Sequence, residues 1–489
     1  MAEQYEFEID EEPVEDENVD IFIDDEGVSS MNEFSEEDYE ISFGENVAEI
    51  LEDSTLSELA SKITSFYQDD LESRSDWYDT FRDGLDLLGI KSSTRSEPFE
   101  GSSGVYHPLL AEAVTHFQAQ TYRELLPAGG PVDTQVMGVN SDPKLEQANR
   151  VKNFMNYQLT YKMEEYDPEM DQMLFYLPLA GSAFIKAEDL VVPYTTSDLA
   201  TAPRITHVIK MTENDVKKLQ RSGFYLDIKM GSPSYSQQSD LQNKMDELEG
   251  VDRSGKEDEF TLLEVHGEFD LEGFEDTDET GEPTGIAMPY IITVCMDTNK
   301  VLSIRQNYNP DDPMRKKVEY FTHYKFLPGL GFYGFGLIHM IGGVTKSATA
   351  ILRQLIDAGT LANLPAGFKS RGLNIQRADD PVQPGEWRDV DAPGGSIRES
   401  FMPLPYKEPS GTLSQLLGLL VESGQKFAAV MDQGTGDGNQ NAPVGTTVAL
   451  LEKGQKVISA IHKRLHYAQR NEFKILKRIF GEVLPPEYP

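Results

Sequence analysis

Asp432-Gln-Gly-Thr-Gly-Asp-Gly-Asn-Gln-Asn441 contains no apolar side chain and stands between two patterned helices. Ahead of it, Leu413, Leu416, Leu417, Leu420 and Val421 predict a helix over 413–431. Behind it, Leu451, Ile458, Ile461, Leu465, Ala468, Ile475 and Ile479 form the apolar seam of a helix over 446–480, about 50 Å long at 1.5 Å per residue. Further upstream, Ile341, Val344, Ala348, Ile351 and Leu355 are spaced three and four apart over 337–361, a narrow seam of the kind that packs against other helices. Between the first two helices, 365–409 is rich in Gly and Pro, with short strand candidates at 373–375 and 387–390. Helix, β-containing excursion, helix, polar loop, long helix: that order describes a part of a machine better than an enzyme pocket.

Toward the N-terminus, Gly329-Leu-Gly-Phe-Tyr-Gly-Phe-Gly336 reads as a turn-rich junction. The stretches 206–210, 260–269, 290–296 and 301–306 are β-branched or alternating, with a hairpin turn at 297–300. A short helix covers 214–221, and the polar 232–258 and acidic 270–285 are surface loops. Helices are expected over 54–90, 107–126, 145–163 and 167–179, with short strands at 132–137 and 181–186. The fold class is α+β, mainly helical.

The 489 residues carry a net charge of −41, unevenly spread. Residues 1–53 hold 22 Asp and Glu and no Lys or Arg, and the first basic residue is Lys62. So charged a stretch does not fold alone. Phe7, Ile21, Phe22, Ile23 and Phe34 interrupt it, so it reads either as a solvated tail or as a docking segment, an acidic mimic for a basic surface. Cys295, the single cysteine, excludes an internal disulfide. No apolar run approaches the ~18 residues of a membrane span. Met1-Ala-Glu-Gln-Tyr-Glu6 does not read as a secretory signal.

Chemistry-bearing motifs are missing. There is no Gly-x-x-x-x-Gly-Lys-Ser/Thr loop, no cysteine pair for zinc and no His-Glu-x-x-His. Phe332-Tyr-Gly-Phe-Gly336 lacks the strand–turn–helix setting of a nucleotide-binding glycine loop. Asp276-Thr-Asp-Glu-Thr-Gly281 begins like a calcium loop, but Ala287 stands where the closing Glu belongs. His462 and His466, four apart on a helix, lack an evident third metal ligand. Asp69-Asp70 and Asp379-Asp380 are the only hint of a two-metal nuclease, the rival enzymatic reading. No catalytic residue, metal ligand or cofactor is therefore assigned, and a nonenzymatic role is expected.

The last helix reverses the sign of the chain. Between 453 and 478 it carries Lys453, Lys456, Lys463, Arg464, Arg470, Lys474, Lys477 and Arg478 against one acid, Glu472. Such a face is either simply solvated or a contact for phosphate or an acidic neighbouring subunit.

The whole order resembles the portal proteins of tailed bacteriophages, nearest to those of short-tailed and related phages. Gly334-Phe-Gly-Leu-Ile-His339, Leu355-Ile-Asp-Ala-Gly-Thr-Leu-Ala-Asn363 and Ala442-Pro-Val-Gly-Thr-Thr-Val-Ala-Leu-Leu-Glu452 carry the likeness, with Tyr106-His-Pro-Leu-Leu110 and Ala180-Gly-Ser-Ala-Phe-Ile185 in a wing-like part. The resemblance implies a ring, typically of twelve subunits, at one capsid vertex, through which double-stranded DNA is packaged and ejected. It implies a wing over 54–335, stem helices at 336–362 and 410–431 and a clip over 363–409. A tunnel loop at 432–445 and a long wing or tunnel helix at 446–480 follow, with 481–489 as the start of a crown or the chain end. Asp432, Gln433, Thr435, Asp437, Asn439, Gln440 and Asn441 would then touch DNA without gripping it, the two acids repelling phosphate. Arg377, Trp387 and Arg388 would be clip contacts, and Lys453, Lys456, Lys463 and Arg464 phosphate or subunit contacts. The implied partners are further copies of the chain, nonspecific double-stranded DNA, the terminase large subunit, major capsid and scaffolding proteins and a tail adaptor, with no membrane and no cofactor. The implied location is the virion's portal vertex, and the host cytoplasm during assembly. Another structural or adaptor protein of a virion is the nearest alternative.

Overall fold

Helical periodicity and β-branched runs alternate in blocks along the sequence, and the elements follow those blocks. The computed structural model describes residues 44–484 except 93, 137–140, 184–188, 232–239, 251–258, 277–282, 311, 313, 364–366, 370–373, 376–389, 392–400 and 430–443; of 240, 367–369, 374–375, 390–391, 401, 403, 427–429 and 444–458 it describes the helix or strand but not the side chains. First come α1 (Asp53–Ser73), α2 (Ser75–Leu85), α3 (Leu109–Leu125), α4 (Asp142–Tyr157) and α5 (Tyr166–Ala180). Then follow β1 (Ser182–Ala183), β2 (Leu190–Val191), β3 (Arg204–Thr212), α6 (Glu213–Arg221), α7 (Asp240–Glu249), β4 (Glu259–Phe269), β5 (Met288–Cys295), β6 (Lys300–Gln306) and β7 (Tyr324–Lys325). Last are α8 (Leu337–Asn363), β8 (Gly367–Lys369), β9 (Asn374–Ile375), β10 (Val390–Asp391), β11 (Phe401–Pro403), α9 (Gly411–Ala429) and α10 (Val444–Val483). The class is α+β, with helices predominating.

One antiparallel sheet of five strands runs β2-β3-β4-β5-β6. Phe260, Leu262, Cys295 and Leu302 line one of its faces, beneath Val216 of α6. The outer edge of β6 is closed by a side chain: Asn46 Nδ2 donates to the Leu302 carbonyl at 3.2 Å, and its Oδ1 accepts from the Ile304 N–H at 2.9 Å. Val47 and Ala48 are buried beside it. The acidic stretch that reads as a tail up to residue 53 therefore joins the folded body by residue 46.

The helical core gathers Leu110, Val114 and Phe117 of α3, Leu174 and Leu177 of α5, Leu337 and Ile341 of α8, and Ile461 and Leu465 of α10. Each such side chain, fully buried, contributes about 1.5–3 kcal/mol. The predicted seams are met at buried positions by Ile341 and Ala348 of α8 and by Ile461, Leu465 and Ala468 of α10, whereas on α9 Leu413, Leu417, Leu420 and Val421 are only half-buried and Leu416 is exposed.

The run 329–336 is a crossing of two backbones. It passes the end of α5 so closely that a Cβ on Gly336 would overlap the Leu179 carbonyl oxygen, and one on Gly334 the Gly181 carbonyl oxygen. Gly181, at φ +91, ends α5 in the left-handed region and would itself overlap Gly334. Ser182 Oγ accepts the Gly334 N–H at 2.8 Å, and Gly181 O accepts the Phe326 N–H at 3.0 Å. His323 Nε2 lies 3.2 Å from Ser182 Oγ, and its ring lies 4.6 Å from that of Phe332. Burial, reinforced by Lys325, holds this imidazole's pKa down at about 2, so it is neutral. These glycines serve packing rather than phosphate binding.

Four expectations change. The helix over 54–90 breaks at Arg74, whose buried Nη1 donates to the Leu190 carbonyl at 2.9 Å. No strand forms over 132–136, because Asn156 satisfies both backbone groups of Val132, at 2.9 and 3.0 Å. The helix ending at 163 closes in a π-turn, Gln158–Lys162. The polar connection 232–258 contains α7, whose Leu241, Met245 and Leu248 pack on the helical core while Tyr78 Oη accepts the Leu241 N–H at 2.7 Å.

Replacing Gly334 or Gly336 by Ala should lower stability by about 1–3 kcal/mol, measured by thermal or chemical unfolding. Gly331→Ala, with open space around it, should stay within about 0.5 kcal/mol. Because the folded His323 pKa lies far below its unfolded value, its contribution is complete above about pH 6.5 and is lost as pH falls, by up to about 1.4 kcal/mol per unit. His323→Gln should flatten the stability profile between about pH 6.5 and 4.5.

Candidate interface on the C-terminal helix

α10 has two chemically opposite faces. Inward, Ile461, Leu465 and Ala468 enter the core, and Gln469 Nε2 donates to the Leu125 carbonyl at 3.1 Å. One turn on, the Tyr324 hydroxyl donates to Glu472, whose carboxyl is pushed up by burial. His462 is buried between Glu124, which its Nδ1 meets, and Thr121, whose Oγ1 is 3.3 Å from its Nε2. Glu124 also meets His466 Nε2 at 3.3 Å. Burial lowers the His462 pKa, opposed by the nearby Glu124 carboxylate. Among the described residues no group of three or more His, Cys, Asp or Glu is arranged to hold a metal ion.

Adjacent cations on α10 have different roles. Arg464 is half-buried, and its Nη2 donates to the Phe326 carbonyl at 3.0 Å, fastening α10 to the segment after β7. Burial lowers its pKa. Arg478 likewise donates to the Glu319 carbonyl at 2.7 Å and lies over the Tyr320 ring at 5.2 Å. Lys463, by contrast, is exposed. It begins an outward stripe with Tyr467, Arg470, Lys474 and Lys477, all exposed, at steps of four, three, four and three. None of these cations pairs with a carboxylate among the described residues. A row of free cations along about 21 Å of helix is suited to binding phosphates or carboxylates.

Of the residues singled out from sequence, Lys463 lies on this face and Arg464 turns away from it. The side chains of Lys453 and Lys456, on the same helix, lie outside the described residues, as do Arg377, Trp387 and Arg388 and the loop residues Asp432, Gln433, Thr435, Asp437, Asn439, Gln440 and Asn441. Arg470, Lys474 and Lys477 belong to the basic run but were not singled out. Spacing alone does not separate them from Arg464, three residues before Tyr467, or from Arg478, four after Lys474; the packing of α10 does.

The acidic pairs do not make a metal centre where they are described. Asp70 is buried in a two-point ion pair with Arg204 at 2.7 and 2.8 Å, while Asp69 faces solvent. Asp379 and Asp380 lie outside the described residues. Asp276 is occupied by Arg315 and by Thr284 Oγ1, the latter at 2.8 Å, so it stabilises a turn. Among the described residues no helix is long and apolar enough to cross a membrane.

Arg464→Ala should cost about 1–3 kcal/mol in unfolding experiments, because the Phe326 carbonyl is left without its charged donor. Lys463→Ala should leave stability within about 0.5 kcal/mol.

No family model matches the chain, and no curated protein matches it.

Proposed function

We propose that this chain is the subunit of a portal-type ring, a nonenzymatic assembly part through which double-stranded DNA passes into and out of a phage capsid. The observation that carries the reading is the hairpin built by α8 and α9. The chain leaves α8 at Asn363, pairs β8 with β11 and β9 with β10, both antiparallel, and returns into α9, which packs along α8. Near the end of α8, Gly359 lies beside Pro409, just ahead of α9, and near the far end of α9 Gly424 packs on Leu109 of α3. A two-helix stem rooted in the body, with a small β element at its tip, is the arrangement that the stem and clip of a portal require.

Surface chemistry supports a subunit of an assembly. Leu416 and Leu419 of α9 are 44% and 64% exposed, and Ile356 of α8 is 39% exposed. Apolar groups grouped on one hairpin favour burial against another molecule. On this reading 432–445 is the tunnel loop; its Gly, Asn, Gln and Thr offer DNA a polar surface without cations to hold it. The excursion 363–409, with Arg377, Trp387 and Arg388, is the clip that meets the terminase large subunit and later the tail adaptor. The wing would meet major capsid and scaffolding proteins, and the working location is the portal vertex of the virion.

Electron microscopy of the purified full chain tests this: rings with an axial channel are expected, and monomers at every concentration would exclude it. Deleting 434–441 should leave rings intact while genome packaging or retention falls in reconstituted particles; loss of rings would instead make the loop an assembly element.

A further inference from the structure

We propose that the basic outer face of α10 docks against the acidic face that α1 and α2 present on a second copy of this chain. Lys463, Tyr467, Arg470, Lys474 and Lys477 form the first face. Asp69, Glu72, Asp76, Asp79 and Asp83 form the second, all exposed, at steps of three, four, three and four. Arg74 is the single residue between α1 and α2, so Asp69 and Glu72 stand at the end of the first helix and Asp76, Asp79 and Asp83 follow on the second. Both rows run over 15 residues with opposite charge at steps of three and four, the basic one along about 21 Å of a single helix and the acidic one divided between α1 and α2. Tyr467, 65% exposed in the middle of the basic row, adds the kind of aromatic anchor that interfaces favour.

Among the described residues the basic face has no acidic partner and the acidic face is only partly paired. The four cations have no carboxylate partner among the described residues. On the acidic side Arg82 engages Asp79 at 2.9 Å and Asp83 at 3.1 Å, while Asp69, Glu72 and Asp76 have no ion pair among the described residues. A phosphate backbone is the other chemistry that fits the cations. The chain's net charge of −41 opposes its approach, and a phosphate backbone would leave the matching acidic row unused. Because the two faces are different patches of one chain, their contact is head-to-tail and repeats from copy to copy. That the repeat closes into a ring rests on the function proposed above; the contact itself does not.

The test uses the full chain, with particle mass measured at low salt and at about 1 M salt, where exposed charge pairs are screened within about 3 Å. The wild type should assemble at low salt and lose assembly at high salt. Lys474→Glu with Lys477→Glu, and separately Glu72→Lys with Asp76→Lys, should each leave the 54.8 kDa monomer with an unchanged melting temperature. Mixing the two variants in equal amounts should restore assembly, since reversed faces match each other and native faces match each other. Wild-type-like assembly of either variant, or failure of the mixture to restore it, overturns the inference while leaving a wild-type ring intact. A reversed α10 that assembles normally but loses affinity for double-stranded DNA also overturns it, giving the face to nucleic acid. A wild-type chain that is monomeric throughout removes the ring and this contact together.

Discussion

Main chain meets main chain where Gly334 and Gly336 cross the end of α5, and the course of everything downstream depends on that contact. Any side chain at these positions would push the two strands of backbone apart by more than packing can absorb. Once they are in contact, β1 pairs with β7, Ser182 takes the Gly334 N–H, and α8 starts immediately beyond with Leu337 fully buried. The direction of α8 in turn sets the root of the α8–α9 hairpin. A neutral His323 beside Ser182 keeps the crossing free of buried charge.

Several cations in this acidic chain serve the fold by reaching backbone carbonyls. Arg74, Arg464 and Arg478 each reach a main-chain carbonyl distant in sequence, on Leu190, Phe326 and Glu319 respectively. Arg353 does the same with Val105, and Lys317 with Ala202. A charged donor on a buried carbonyl satisfies a polar group that would otherwise cost about 1–3 kcal/mol. The Arg204–Asp70 pair is of the other kind, a charge pair held at two points on the flank of the sheet. With so many arginines turned inward, the free cations on the outer face of α10 stand out as a separate surface feature.

Legibility in the sequence followed how completely an element's apolar residues declare its period. The elements α8, α9 and α10 repeat Leu, Ile and Val over many turns, and their bounds match the expected ones within two residues at most ends. The strands β3 to β6 were equally plain, because β-branched residues fill them. The helix α7 was hidden because three apolar residues among charges read as loop until α2 supplies a surface for them. The break at Arg74 and the missing strand at 132–136 arise from single side chains, Arg74 and Asn156, reaching partners that no local pattern announces. In the candidate interface, sequence placed the basic helix correctly but could not tell Lys463 from Arg464. Neighbouring residues on a helix point about 100° apart, and only the packing of α10 says which one faces out.

Asn46 has a consequence beyond its hydrogen bonds. By lending its amide to the edge of β6, it does the work of a sixth strand, and an exposed strand edge is a template for sticking to other chains. The acidic stretch ahead of it and this plug are therefore separable parts of one N-terminal region. Proteolysis that trims the chain before Gly44 removes charge and leaves the sheet sealed. A cut only a few residues further on strips the plug and uncovers unpaired backbone, turning a loss of solubility into a loss of identity between right and wrong neighbours.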